Sequence, residues 1–549
     1  MSTWFQAYDP LNNIWLSAFV AFLPIALFFA SLILFKLKGH VAGLLTVLLT
    51  VVIAVFIYEM PLSKAIWSFI YGALYGIWPI TWIIIAAIFL YKITVKSGYF
   101  DVLKGSIVAI TPDQRIQVIL IAFCFGAFLE GAIGFGGPIA ITAALLVGLG
   151  LRPLYAAGLS MIANTAPVAF GAVGIPITAM AGVVGVPAIE ISAMAGHMLP
   201  PLSLFIPFFL VFLMNGFKGV KETWPVALVA GVSFAYIQYI TATKLGPELP
   251  DIASAVVSII AVSVFLRFWQ PKNIFKFDNQ DTISNLEVKH YSFKEIALAW
   301  SPFIILIFMI IIWTQQWFKA LFVGDGVLSF LVLSFNFNDL ASIIRHAPAV
   351  TSEMPVDSVF KIPLINTVGT SIFAVAIITM IVLKVNVSTA IKTFGETLDE
   401  MKFAIFTIAL VVGFAFVANY SGISATLALA LAHTGNAFAF FSPIVGWLGV
   451  FLTGSDTSSN LLFGTLQQIT ARQLGIPEVL FLAANSVGGV VGKMISPQSI
   501  AIACAAVGLV GKESDLFKFT VKYSIMFVIA IGIFTYAIAF WMPWFIPSN

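Results

Sequence analysis

The chain has 549 residues, of which 60% are hydrophobic and only 9% charged, whereas a soluble protein carries about 25% charged residues. A mean hydropathy of +1.05 leaves no soluble stretch large enough for an independent enzyme domain, so function must sit within a bilayer. The net charge of +3 is scattered over loops and forms no basic patch, which excludes nucleic-acid binding.

The first thirteen residues hold no Lys or Arg, so the positive segment of a cleaved signal peptide is missing and residues 14–35 read as a first transmembrane helix. Further apolar spans are predicted at 41–59, 66–91, 188–214, 223–242, 251–269, 297–316, 363–383, 403–420 and 523–547. Two regions, 116–183 and 440–510, are apolar but broken. Lys and Arg gather at Lys36 and Lys38, Lys92 to Arg115, Lys218 and Lys221, Lys272 to Lys294, Lys384 to Lys402 and Lys512 to Lys522. The positive-inside rule assigns these to the cytoplasm and puts both termini outside. Residues 270–295 read as a polar cytoplasmic linker between an N-terminal membrane half, 1–269, and a C-terminal half, 296–549. The external stretch 318–361, with Asp325, Asp339, Glu353 and Asp357, reads as solvated loop with some amphipathic helix. Cys124 and Cys504 both lie in apolar runs, as small core residues would, which argues against a disulfide framework or a Cys-based metal site.

The two broken regions resemble each other. Phe128-Leu129-Glu130-Gly131 aligns with Phe451-Leu452-Thr453-Gly454, and Ala163-Asn164-Thr165 with Ala484-Asn485-Ser486. Gly171 and Gly492 each lie seven residues beyond the Asn, and Pro176 and Pro497 twelve beyond. The first copy opens at cytoplasmic Arg115 and the second follows a span running outward from Lys402, so the copies enter from opposite faces unless residues 422–435 cross the membrane. The expected fold is an all-α polytopic membrane protein of about 12 transmembrane helices plus two re-entrant hairpins in inverted repeats, with discontinuous helices. The repeat cores run over 66–214 and 403–547.

In each copy the pattern predicts a hairpin that turns inside the protein, followed by a helix unwound around the Asn. The first turn, Glu130 to Pro138, carries four glycines, among them Gly134 and Gly136, which let backbone approach a ligand. The second, Gly454 to Asn460, is a run of polar residues that is costly in an apolar setting unless something polar is bound.

Four stretches, FLEGAIGFGGPIAI at 128–141, ANTAPVAFGAVGIP at 163–176, GSDTSSNLLFGTLQ at 454–467 and KMISPQSIAIA at 493–503, resemble the bacterial L-lactate permease family, and the likeness runs over essentially the whole chain. The resemblance implies uptake of L-lactate, D-lactate and glycolate with protons across the bacterial inner membrane, by a multi-pass protein within a wider group of inverted-repeat ion transporters. It alone selects the substrate.

The polar residues supply the candidates. Glu130, at the hairpin turn, is the first proton-carrier candidate because an ionised carboxylate is expensive there, the alternative being a cap on the following half-helix. Asp456 follows the same logic, with Ser455, Thr457 and Ser458 able to hold it ionised so that it orients the loop instead. Ser455, Thr457, Ser458 and Asn460 suit a substrate carboxylate and 2-hydroxyl. Gly134, Gly136, Asn164, Thr165, Asn485 and Ser486 complete the expected binding set. Lys493 is a lone cation that pairs with the substrate carboxylate, or else bridges to Asp456 or snorkels to the surface. His197 and Glu190, seven apart on one helical face, make a proton relay or lie at the water interface. Arg152 and Arg472 read as membrane-edge anchors.

The stretch Gly488 to Met494 lacks the spacing and the Ser or Thr of a phosphate-binding loop, and no HExxH or GxSxG is present. The expected protein is therefore not an enzyme, uses no cofactor, and has as partners a small monocarboxylate, protons and the lipid bilayer. Sodium coupling and an anion channel remain the alternatives.

Overall fold

The computed structural model describes residues 3–35, 37–134, 136–277, 291–350, 352–510 and 512–547. Residues 278–290 of the expected linker, and Phe135 of the first hairpin, lie outside the described residues. Among the described residues ten helices are long and apolar enough to cross a membrane, or eleven if the bent pair Pro153–Ala163 and Val168–Val184 is one span. One of the ten, Pro200–Lys244, breaks at Asn215 and Gly216 and doubles back. Ser203 Oγ donates to Gln238 Oε1 at 2.7 Å across the two halves, and Gly231 packs on Leu204.

Three expectations change. The spans at 251–269 and 363–383 form only Pro250–Phe265 and Val368–Val382, of 16 and 15 residues, about 24 and 22 Å long at 1.5 Å per residue. The first starts where expected but ends early, at Phe265 rather than Trp269. The second is short because residues 359–363 are held in a strand. Third, the external stretch is a small β cap rather than loop and amphipathic helix. Val332–Asn336 pairs antiparallel with Val359–Pro363, and Ile343–Arg345 pairs parallel with Trp4–Phe5 and antiparallel with Met354–Pro355. Alternation decides this: in Val359–Pro363 only Phe360 is buried, so one side chain plugs inward while its neighbours face out.

Beyond the broken cores the repeat is visible in element lengths. Leu62–Lys96 and Val387–Ser421 each span 35 residues, and each is followed by a helix of 10, Tyr99–Val108 and Ile423–Ala432. Hairpin and broken helix then follow in both halves. Tyr99–Val108 packs against Phe293–Thr314, the first helix of the second half, and Ile423–Ala432 packs against Ile14–Ile33, the first helix of the first half. The exchange is reciprocal, as a two-fold relation requires.

Phe293–Thr314 starts beside the linker and ends at the β cap, so linker and cap mark opposite faces. The loop after the first hairpin lies on the linker face, where Gln114 donates to Leu149 O at 2.9 Å and accepts from Phe277 N at 2.7 Å. The loop after the second lies at the cap, where Gln473 donates to Pro348 O. Residues 422–435 do not cross between them: Gly422 lies on Ala7, and the His433 ring contacts Trp15, both near the N-terminus. The two copies are inverted.

Candidate functional site: a cavity between two hairpin tips

The outer limb of the first hairpin, Gln114–Ala132, is buried along its whole apolar window, against 28% of the window in Phe293–Trp313, so the hairpin sits inside the bundle and the latter at its rim. Arg115 clamps its foot through Asp113 at 2.8 Å, Glu222 at 2.5 Å and Asn273 O at 2.9 Å. The tip turns through Gly134 (φ +61°) and Gly136 (φ +79°), conformations that a side chain disfavours. The return limb Gly137–Gly148 opens with Pro138, whose missing N–H costs nothing in a first turn. In the second hairpin Phe438–Thr453 ends at Gly454, and Ser455 caps Asp456–Gln473 by accepting from Ser458 N at 3.2 Å.

Of the helices after the hairpins, the first breaks at its Asn as expected and the second does not. In the first copy Pro153–Ala163 stops before Asn164, because Pro167 offers no N–H to continue the ladder. Ala172 and Val173 are then left-handed at φ +44° and +58°, which costs about 1–3 kcal/mol each for non-glycine residues. In the second copy no unwinding occurs around Asn485. Gly488 stands where the first copy has Pro167, so Glu478–Gly492 runs on intact. Its break comes at Lys493–Ile495, and Pro497–Ala506 restarts with Ser496 as cap.

Both tips and both breaks enclose one cavity of about 390 Å³. Lys493 Nζ donates to Glu130 Oε1 at 2.6 Å in its wall, with side chains 8% and 3% exposed. Asn164 Nδ2 donates to the other oxygen, Oε2, at 3.0 Å. A Cβ on Gly171 would stand 2.8 Å from Glu130 Oε1 and would force that carboxylate to shift. Across the cavity lie Ser455, Asp456, Thr457 and Ser458, with Gln498 and Ser499 from the second break. The space extends to Leu32, Gly39, Ala404 and Thr407.

Behind Asp456 a chain of buried hydrogen bonds leads away from the cavity. Ser486 and Asn460 donate to Asp456 Oδ2, Asn485 donates to Asn460 Oδ1 at 2.9 Å, and Gln467 donates to Asn485 Oδ1 at 3.1 Å. Asn460 also reaches Pro176 O at 3.1 Å, which ties the second hairpin to the first copy. Such a network restrains its members, although Asp456 Oδ1 itself is buried with no hydrogen-bond partner among the described residues.

The structure thus gathers Glu130, Gly134, Gly136, Ser455, Asp456, Thr457, Ser458 and Lys493 around one space. Asn164, Thr165, Asn460, Asn485 and Ser486 stand behind them, buried and bonded within the protein; Thr165 donates to Ile162 O at 2.7 Å. Lys493 has Glu130 as its ion-pair partner, neither the bridge to Asp456 nor the snorkelling that the sequence left open. His197 lies elsewhere, in a second cavity of about 320 Å³ with Glu190, Tyr239 and Lys244, its Nδ1 bonded to Ala193 O. Arg472 pairs with Glu478 at 2.7 Å. Sequence reasoning missed Gln498 and Ser499, which were in plain view beside Pro497, and Asp251. The last is 1% exposed, and neither carboxylate oxygen has a hydrogen-bond partner among the described residues. Its only signal was an acid at the head of an apolar run.

Comparison with known proteins identifies the family. The sequence profile described as L-lactate permease matches residues 17–542. An L-lactate permease of Salmonella typhimurium is 52% identical over all of both chains. A glycolate permease of Escherichia coli is 53% identical over 97% of this chain and 98% of its own, and an L-lactate permease of Bacillus subtilis is 50% identical over 99% and 100%. With a family match across nearly its entire length, this chain belongs to the L-lactate permease family.

Proposed function

We propose that this chain takes up lactate of either hand and glycolate together with protons, across the bacterial inner membrane, by alternating access. The observation that carries the reading is the Glu130–Lys493 pair in the cavity wall. A substrate carboxylate entering the cavity competes with Glu130 for the Lys493 ammonium. If Glu130 takes a proton as it lets go, the site goes from one anion and one cation to a neutral acid, a cation and a bound anion. Its net charge is zero before and after, which a low-dielectric interior favours strongly. Binding one monocarboxylate then obliges binding one proton.

The hydroxyls of Thr457 and Ser458 line the opposite wall and have no intramolecular acceptor among the described residues, so they are free for the substrate's carboxylate and 2-hydroxyl. The network behind Asp456 holds that wall still. The cavity's reach to Leu32, Gly39, Ala404 and Thr407, beside the cytoplasmic charges Lys38 and Lys402, supports an inward-facing form. The inverted copies supply two related arrangements for the exchange of access.

The test is uptake into proteoliposomes under imposed pH, sodium or voltage gradients. Accumulation driven by an acid exterior, indifferent to sodium, is the expected result. Accumulation driven only by sodium, or non-saturating current, would overturn the reading.

A further inference from the structure

We propose that Asp251 is a proton-relay residue of this site, delivering to Glu130 protons that arrive from the outer face. The inference deepens the symport reading and rests on it. Asp251 opens the helix Pro250–Phe265 and packs so tightly on Gly131, the neighbour of Glu130, that a Cβ there would stand 2.7 Å from its own. It is 1% exposed, and neither oxygen is hydrogen-bonded among the described residues. An ionised carboxylate stripped of water and of every donor is costly by many kcal/mol, so the group is at rest as the neutral acid. A buried acid that holds a proton against a salt-bridged carboxylate is placed to hand it over.

The charges that act on Asp251 are Glu130 and Lys493. Of the other elements packed on its helix, Pro200–Lys244 carries Lys218, Lys221 and Glu222 at the cytoplasmic end, with Lys244, Tyr236 and Tyr239 exposed at the outer end. Phe293–Thr314 carries Lys294 and Glu295 at its linker end. The loop ahead of Asp251 leads outward. Glu248 lies in it, half-buried, and burial pushes its carboxyl up to about 7, with Lys319 of the external helix Gln316–Ala320 opposing. A group titrating near neutrality collects protons where Asp251 cannot reach water.

In the step proposed, the O–H bond of Asp251 breaks and an O–H bond forms on Glu130 as Lys493 leaves it for the substrate. The Asp251 carboxylate is then reprotonated from outside by way of Glu248. In the inward-facing form the burial of Asp251 keeps outside protons from Glu130 and so prevents leak.

The full-length protein in proteoliposomes tests this, with lactate as substrate. Asp251→Asn is expected to lower uptake driven by an acid exterior by about 100-fold, the low end of what a positioned proton-transfer group contributes. It should also flatten the dependence of uptake on external pH, while counterflow of internal for external lactate continues. Asp251→Glu should restore part of the pH-driven rate, which a purely structural role would not do. Should the Asn variant fail to fold, Glu248→Gln carries the test: slowed pH-driven uptake at neutral and higher external pH supports the relay, and unchanged uptake overturns it. An Asp251→Asn protein with the wild-type pH profile overturns the relay and leaves symport standing. Wild-type protein that ignores the pH gradient overturns symport, and the relay with it.

Discussion

The two hairpins hold equivalent positions in the repeat and meet at one cavity, yet they bring opposite chemistry to it. The first has a tip of glycines and one acid, Glu130, paired with a cation that comes from the other copy. The second has a tip of hydroxyls and an acid, Asp456, held by neutral donors from its own copy. Duplicated scaffolding has therefore diverged into an ion-paired wall, suited to exchanging a proton, and a hydroxyl-bearing wall, suited to shaping the ligand. On the proposed reading, a charge pair shared between copies also ties substrate binding to the relation between the two halves, which is the relation alternating access must change.

The sharpest way to break this comparison is at the charged wall. Glu130→Gln should abolish pH-driven accumulation while lactate exchange survives at least in part, since exchange need not release a proton at each half-cycle. The same change strands Lys493, and breaking a buried pair costs about 3–5 kcal/mol, so thermal stability should fall. Adding Lys493→Gln should recover much of that stability without recovering uptake. Normal accumulation by the single variant would take Glu130 out of the role.

At the hydroxyl wall Ser458→Ala should raise the half-saturating lactate concentration about tenfold or more, the worth of one hydrogen bond to a charged group, with little change in protein abundance. Asn485→Ala should do the reverse. The sequence alone put Asn485 at the substrate, but its partners are Asn460 and Gln467. Losing it should cost about 1–3 kcal/mol of stability through unsatisfied buried groups, read as a lower Tm, with affinity nearly unchanged. Equal affinity losses in both variants would erase the distinction between wall and support.

The smallest effect belongs to the repeat ends. Arg472 and Glu478 are 41% and 27% exposed, and such a pair contributes at most about 1 kcal/mol, so Arg472→Cys should be well tolerated. After Cys124 and Cys504 are changed to Ala, that cysteine should be labelled only from outside, and Arg152→Cys only from the cytoplasm. Labelling of both from one face would make the copies parallel.

Much of this was legible in the residues themselves. Apolar run length and scarce charge determined a membrane protein whose spans are helical, because backbone groups in hydrocarbon must bond within their own helix. Glycine and polar clusters in apolar surroundings determined where the hairpins turn, since only a strained or ligand-bearing backbone has use for them. Spacing of Asn, Gly and Pro revealed the repeat, and Pro167 against Gly488 already contained the difference in where the helices break. Partnership was decided elsewhere. Glu130 and Lys493 are 363 residues apart, and nothing local distinguishes a lysine that meets a glutamate from one that snorkels. His197 had the right chemistry and lies in another cavity; Asp251 looked like the polar end of a span and lies beside the site. Hydropathy is a property of segments and is read along the chain, whereas a binding site is a coincidence of side chains from distant segments, which only tertiary packing brings within the few ångströms over which charge and hydrogen bonds act.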